Sequence, residues 1–306
     1  MATQAKIETL KILKKASKDN DAPIWAKVAD YVQKSRSNQK IINLKRIDET
    51  TEDGNAIIIT GKVLGTGNAF NQGARLNSAF LIEMNNVNVL IDCGFTVPLA
   101  LQKECIQFSS IDYILITHYH GDHYAGLASL LLGLKYVSPQ YKKLTIIGPG
   151  DIQEKVIKLL EILYPGTENL IDDLNLEFRE VNHLGEKLIT KHFNLEIHPM
   201  QHSDSVLPVG YIMERNGFKI GFSGDTCWHD GLISLIESCD KLILECNFVH
   251  KVGQGHISIE ELELSELIQN KMKDIYLTHL CAESANKAEE LGYNILSDGD
   301  NLCFKI

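Results

Sequence analysis

Residues 111–127, IDYILITHYHGDHYAGL, constrain this chain more tightly than any other stretch. Tyr113 to Ile116 is a short apolar, β-branched run, which reads as a buried strand. Directly behind it, His118, His120, Asp122 and His123 fall within six residues, ahead of an apolar segment from Tyr124 to Leu134 that reads as a helix. Imidazole and carboxylate suit zinc and similar divalent ions, and a strand end holds such ligands more rigidly than a free loop. Alternation along an extended backbone points His118 and His120 the same way. Asp122 and His123, at the start of the helix, face a second point nearby. The pattern suits two metals, and donors this dense behind a buried strand are hard to read as a mere polar turn.

Two ions need further donors, and later strand ends supply candidates of the same grammar, an apolar run followed at once by a polar residue. His202 follows Ile197-His198-Pro199-Met200, Asp225 lies in Phe222-Ser223-Gly224-Asp225-Thr226, and His279 follows Ile275-Tyr276-Leu277-Thr278. Glu245 ends DKLILE, and His256 lies in Gly255-His256-Ile257-Ser258. Two cations about 3.5–4 Å apart can share a water, lower its pKa toward ~7 and clamp an in-line displacement.

The HxHxDH signature with a Thr before it resembles the metallo-β-lactamase superfamily, over roughly residues 62–306. The resemblance implies an α/β four-layer αββα sandwich. It implies that His118, His120 and His202 hold one ion, that Asp122, His123 and His279 hold the other, and that Asp225 bridges them. Two Zn²⁺ fit these donors, with Mn²⁺ or Fe²⁺ as alternatives. A β-lactamase proper commonly has a Cys ligand, which the Asp225 position lacks, and the flavo-diiron branch has a Glu in place of His120. The Glu245…Gly255-His256-Ile257-Ser258 pairing is similar to ribonuclease Z and its phosphodiesterase relatives. There the His faces the scissile phosphate and the Glu orients it. Asp122, His256 and Glu245 are thus the expected catalytic residues, and a metal-bridging hydroxide the expected nucleophile. His202 and Asp225 are 23 residues apart, an interval filled by one tight hairpin where several ribonuclease Z members carry a tRNA-gripping insertion. A small phosphodiester such as a cyclic nucleotide fits this layout at least as well as RNA. Thioester or lactone hydrolysis of the glyoxalase II kind, on the same metal ligands, is the second enzymatic reading.

The chain divides at about residue 60 in this reading, into a helical segment (1–60) and a hydrolase body (61–306). Residues 5–18 form a basic amphipathic pattern, and Pro23 sits near the first turn of a second helix. KKASKDNDAPIW, VADYVQKSRSNQKIINLKRI and AIIITGKVLGTG resemble the front half of a large-subunit ribosomal protein of the archaeal and eukaryotic eighteen-e type. That resemblance implies RNA contact by the basic helices, and a third reading, an RNA- or ribosome-associated binding protein. Charge is unevenly shared. Residues 1–55 carry 11 Lys and Arg against 8 Asp and Glu, while the rest carries 19 against 32 and gives the net −10. An acidic body argues against strong non-specific nucleic-acid binding of its own.

Asn85-Asn86 and Asn216-Gly217, each between apolar runs, predict hairpins. Residues 152–163 have helical spacing, and Ser258 with Glu261 predicts a capping box for one helix through Lys271. The β-rich blocks, each followed by helices, occur twice and predict two sheets packed face to face. Seven cysteines without CxxC pairing suggest reduced thiols in a cytoplasmic setting. No apolar run approaches the ~18 residues of a membrane span, and no secretion signal opens the chain. Relatives of the hydrolase kind are often homodimers, but no stretch here marks a dimer surface. His183, His192, His198, His229 and His250 fit no motif.

Overall fold

Two seven-stranded sheets carry the body of the chain in the computed structural model, which describes residues 58–137, 142–167, 169–182, 185, 187–203, 207–251 and 255–305. The first sheet runs, in spatial order, β14 (Asn301–Lys305), β1 (Ile58–Gly65), β2 (Ala79–Met84), β3 (Val87–Ile91), β4 (Tyr113–Leu115), β5 (Leu144–Pro149) and β6 (Leu176–Val181). The second runs β13 (Asn294–Ile295), β12 (Ile275–Thr278), β11 (Lys241–Glu245), β10 (Phe218–Phe222), β9 (Val209–Arg215), β8 (Asn194–Pro199) and β7 (Lys187–Ile189). Both expected hairpins are present. β2 and β3 turn at Asn85 and Asn86 (φ 55° and 59°), and β9 and β10 at Asn216 and Gly217 (φ 51° and 84°). Positive φ at both central residues is what a two-residue hairpin turn needs, and Asn and Gly tolerate it best.

From β3 to β6 and from β10 to β13 the strands are parallel, and parallel neighbours require crossover connections. Helices α1 (Val97–Lys103), α2 (Gly121–Tyr124), α3 (Leu127–Tyr136), α4 (Ile152–Leu163) and α5 (Leu170–Asp173) lie in the crossovers of the first sheet. Those of the second carry α6 (Asp230–Ser238), α7 (Ile259–Leu264), α8 (Glu266–Lys271) and α9 (Ala282–Glu290). The side-chain period of two assigns the layers. Phe80 and Ile82 of β2 enter the core between the sheets with Ile197, Tyr211, Ile220 and Phe222. Their neighbours Ala79 and Leu81 face outward onto α1, α3 and α4. A third apolar cluster joins the outer face of the second sheet to α6–α9. This is the expected αββα sandwich. Tyr211, fully buried, ties the layers by donating from its hydroxyl to the carbonyl of Ile116 at 2.7 Å.

Two expectations are adjusted. The apolar stretch behind the histidines is two helices, a short α2 and then α3, with a turn at Ala125–Gly126. The segment capped by Ser258 is also two helices. Its capping box with Glu261 forms as expected, but Ser265 interrupts the run and caps α8 by accepting from the backbone N–H of Ile268. The amino-terminal helices lie outside the described residues, as do their RNA contact and His183, and the division near residue 60 stands as a proposal. The string AIIITGKVLGTG is partly described, since its Ile58–Gly65 forms β1 of the first sheet.

Candidate metal centre

All the sequence-selected donors meet at the carboxyl ends of the strands, where open α/β sheets place ligands. His118 follows β4, His202 follows β8, Asp225 follows β10, Glu245 ends β11 and His279 follows β12. Among the described residues, four sets of donor atoms each lie within 4.8 Å of one another: His118, His120 and His202; Asp122, His123, Asp225 and His279; and two that include His256, with His202 and Asp225 and with Glu245 and His279. The first is the set that the superfamily resemblance implies for one ion, and the second adds Asp225 to the set it implies for the other. Asp225 stands between them. Its Oδ1 is 3.3 Å from His123 Nε2, and its Oδ2 lies 3.3 Å from His279 Nε2, 3.7 Å from His202 Nε2 and 3.8 Å from His118 Nε2. Asp122 Oδ2 lies 3.3 Å from both His123 Nε2 and His279 Nε2.

The donor set fits divalent metal, because its own hydrogen bonds do not satisfy it. His118 Nε2, His123 Nε2, Asp225 Oδ1 and His279 Nδ1 are buried without a hydrogen-bond partner. Such groups each cost about 1–3 kcal/mol unless something coordinates them. His120 Nδ1 and His202 Nε2 lie 2.9 Å apart, within hydrogen-bond distance, and with His118 they offer three imidazoles to one point. Burial, followed by the charge of His123, holds His118 well below the usual imidazole range and keeps it neutral. His123 is opposite: burial disfavours its charged form, but Asp225, Asp92 and Asp122 outweigh that and push its pKa well above the ordinary value. Asp225 is likewise disfavoured as an anion by burial, yet the charges of His123 and His279 hold its carboxyl well below the usual range. So much buried charge in one place calls for a compensating cation.

Glu245 and His256 sit against this cluster. His256 Nδ1 is 2.8 Å from Glu245 Oε1 and 4.0 Å from Asp225 Oδ2. Its ring stacks on His279 with centroids 5.2 Å apart and meets His202 edge-on at 4.6 Å. Glu245 is itself fixed, accepting from the backbone N–H groups of Thr226 (2.9 Å) and Asn247 (3.2 Å). Burial works against the imidazolium, but Glu245, by charge and hydrogen bond, and Asp225 outweigh it and push His256 up to about 9.

Partners that the sequence reading did not single out orient the donors. Asp92, at φ 58° and 4% exposed, takes His123 Nδ1 at 2.7 Å and the backbone N–H and hydroxyl of Thr117 at 2.8 and 2.9 Å. Thr117 Oγ1 in turn lies 3.1 Å from His118 Nδ1, so one carboxylate reaches a donor of each set. Asp92 obeys the same grammar as His118, an apolar strand followed by a polar residue, and that signal could have found it. His202 donates from Nδ1 to the carbonyl of Gly255 at 2.6 Å, which leaves Nε2 for the cluster. No sequence pattern announces a backbone carbonyl. His229 caps α6 by accepting from the N–H of Gly231, while His250 is exposed on the surface. His279 itself is left-handed at φ 55°, as is Asp92 at φ 58°, and outside turns such conformations cluster at functional sites.

Among the described residues no helix is long and apolar enough to cross a membrane. The chain is 29% identical over 229 residues to the Anti-Pycsar protein Apyc1 of Bacillus phage BSP38, a match covering 71% of this chain and 87% of the relative. It is 26% identical over 293 residues to the ribonuclease Z of Clostridium novyi, covering 75% and 91% of the two chains. In fold it is similar to the metallo-β-lactamase fold protein YhfI from Bacillus subtilis, with a TM-score of 0.64, 19% identity, and 81% and 99% of the two chains covered. The family match begins at residue 60 and lends no support to the ribosomal-protein resemblance. Fold, donor cluster and relatives make the chain a metal-dependent hydrolase. Its residues 60–297 match the model of the Anti-Pycsar protein Apyc1, and the chain belongs to that family.

Proposed function

We propose that the chain is a binuclear metal-dependent phosphodiesterase acting on a small phosphodiester, with cyclic nucleotides the best-fitting class. The observation that carries this reading is the Glu245–His256 pair, set 2.8 Å apart at the edge of the donor cluster. A thioester or lactone hydrolase has no need of it, whereas phosphodiester cleavage must place charge on non-bridging oxygens and protonate a leaving oxygen. The interval between His202 and Asp225 supports a small substrate, since β9, β10 and their two-residue turn take up Val209–Phe222 of it. The ribonuclease Z name among the relatives and the Apyc1 family name are compatible with a phosphodiester substrate.

His118, His120 and His202 would hold one ion, Asp122, His123 and His279 the other, with Asp225 shared. Zn²⁺ suits these donors best, with Mn²⁺ or Fe²⁺ as substitutes. Bound there, the ions supply Lewis acidity and lower the pKa of a water toward neutrality. Asp122 accepts the proton of the attacking water, and Asp225 keeps the two halves of the centre in register. Glu245 holds Nδ1 of His256, so the imidazole presents its other nitrogen to the phosphate and gives a proton to the leaving oxygen.

The test compares metal-loaded wild type with His256→Ala on bis(p-nitrophenyl) phosphate, cyclic nucleotides, short RNA and a thioester. Phosphodiester turnover is expected in the wild type, falling by roughly 10²–10⁴-fold in the variant at unchanged metal content. Turnover of the thioester alone, indifferent to His256, would transfer the site to the thioesterase reading. No turnover of any phosphodiester would sink the proposal.

A further inference from the structure

His229 belongs to none of the motifs behind the donor cluster, yet both nitrogens of its ring are engaged. The backbone N–H of Gly231 donates to Nδ1 at 3.1 Å and so caps α6, while Nε2 lies 3.1 Å from Thr226 Oγ1. The two contacts fix the tautomer. Nδ1 must keep its lone pair for Gly231, which puts the proton on Nε2. Thr226 requires the same assignment. Its hydroxyl donates to the carbonyl of Cys227 at 3.0 Å and accepts from the N–H of Gln201 at 3.2 Å, so what remains is one lone pair for a donor. Burial, opposed by Asp230, holds the imidazole of His229 below its ordinary range and keeps it neutral. Gly231 packs against the ring, since a Cβ there would fall 2.6 Å from His229 Cε1 and 2.3 Å from the carbonyl oxygen of Pro199.

Thr226 is where that hold matters. It is fully buried, directly follows Asp225, and its N–H donates at 2.9 Å to Glu245 Oε1, the oxygen that meets His256 Nδ1 at 2.8 Å. On the other side, the N–H of Cys227 donates at 2.7 Å to the carbonyl of Gln201, the residue before His202. Thr226 and its neighbour thus join the segments that carry His202, Asp225 and Glu245, and His229 fills the last site on the Thr226 hydroxyl. A helix cap alone needs only an acceptor, which Ser, Asn or Asp supplies. An imidazole adds a donor at its second nitrogen, and here that donor is directed at Thr226.

We propose that His229 is a positioning residue for the phosphodiester reaction: by donating to Thr226 it fixes the carboxylate of Glu245 and, through it, the imidazole of His256. The inference rests on the phosphodiesterase reading. The experiment uses zinc-loaded wild type, His229→Asn and His229→Gln, with bis(p-nitrophenyl) phosphate as substrate. Asn places an acceptor where Nδ1 stands and nothing at Nε2, whereas Gln carries an amide donor to the place of Nε2. His229→Asn should keep the urea midpoint, metal content and KM but lose kcat by up to roughly 10²-fold. His229→Gln should recover much of that rate although it caps α6 less well. NMR of protein labelled with nitrogen-15 in its histidines supplies an arm that needs no turnover. It should find His229 neutral with its proton on Nε2, and the resonance of the His256 proton held by Glu245 should shift or broaden in His229→Asn. Full kcat in His229→Asn would overturn the proposal, as would a proton on Nδ1 of His229 or a His256 resonance that ignores the substitution. So would a rate that follows helix stability across the two variants, higher in His229→Asn than in His229→Gln, which would reduce the residue to a cap. A wild type that cleaves no phosphodiester would strike the phosphodiesterase reading, while the NMR arm still decides whether His229 holds the pair.

Discussion

Asp92 illustrates how much of this centre depends on a residue that need not touch a metal. It is buried, sits at positive φ, and orients His123 directly and His118 through Thr117. Burial raises its pKa, and His123 and the Thr117 hydrogen bonds work in the opposite direction. Asp92→Asn keeps the shape but removes the charge that holds His123 in one orientation. It should lower metal affinity by about 10–100-fold, read by competition with a chromogenic chelator, with little change in circular dichroism. The candidate donors His118, His202, Asp225 and His279 were legible in the sequence because each follows an apolar strand, and chain order alone groups His118 with His120, Asp122 and His123. Asp92 follows the same rule and was open to the same reading. The Gly255 carbonyl was not, because backbone groups carry no residue-type signal.

At the scale of elements, the strands and turns with strong local chemistry were readable in advance. Asn85-Asn86 and Asn216-Gly217 place positive φ where a two-residue hairpin requires it, and Leu176–Val181 and Ile275–Thr278 begin and end where their apolar patterns do. Less visible were β7, β13 and α5, of two to four residues each, since elements this short are defined by their neighbours rather than by periodicity. The break at Ser265 was missed for a related reason: the apolar pattern of α7 carries on into α8, and only the second cap marks the boundary. Ser258 accepts from the N–H of Glu261 and is answered by the Glu261 carboxylate. Ser258→Ala should therefore cost about 1 kcal/mol, measured as a shifted urea midpoint at unchanged slope. Because Ser258 lies two residues after His256, the same change should also lower phosphodiester turnover, with metal content preserved.

For the molecule as a whole, the two sheets meet over an apolar core and, among the described residues, keep their buried carboxylates at one rim. Asp92, Asp122, Asp225 and Glu245 are all buried there, at 6% exposure or less. A folded state that confines so much charge gains stability from any cation that binds it and not the unfolded chain. With free ion at 1,000 times its dissociation constant, that gain is about 4 kcal/mol. Chelation should then lower the melting temperature by roughly 10 °C, reversibly on adding zinc, as followed by scanning calorimetry. The αββα architecture was visible from the doubled pattern of strand blocks and helices, whereas the partner of each strand was not, because sheet order depends on contacts distant in sequence. The most direct test of the proposed binuclear centre is elemental analysis of the purified protein beside Asp225→Ala. About two equivalents of divalent metal in the wild type, falling sharply in the variant, is the result the proposed sharing of Asp225 between two ions predicts. Wild-type protein that binds no metal after reconstitution with zinc, or a variant that keeps its full complement, would contradict it.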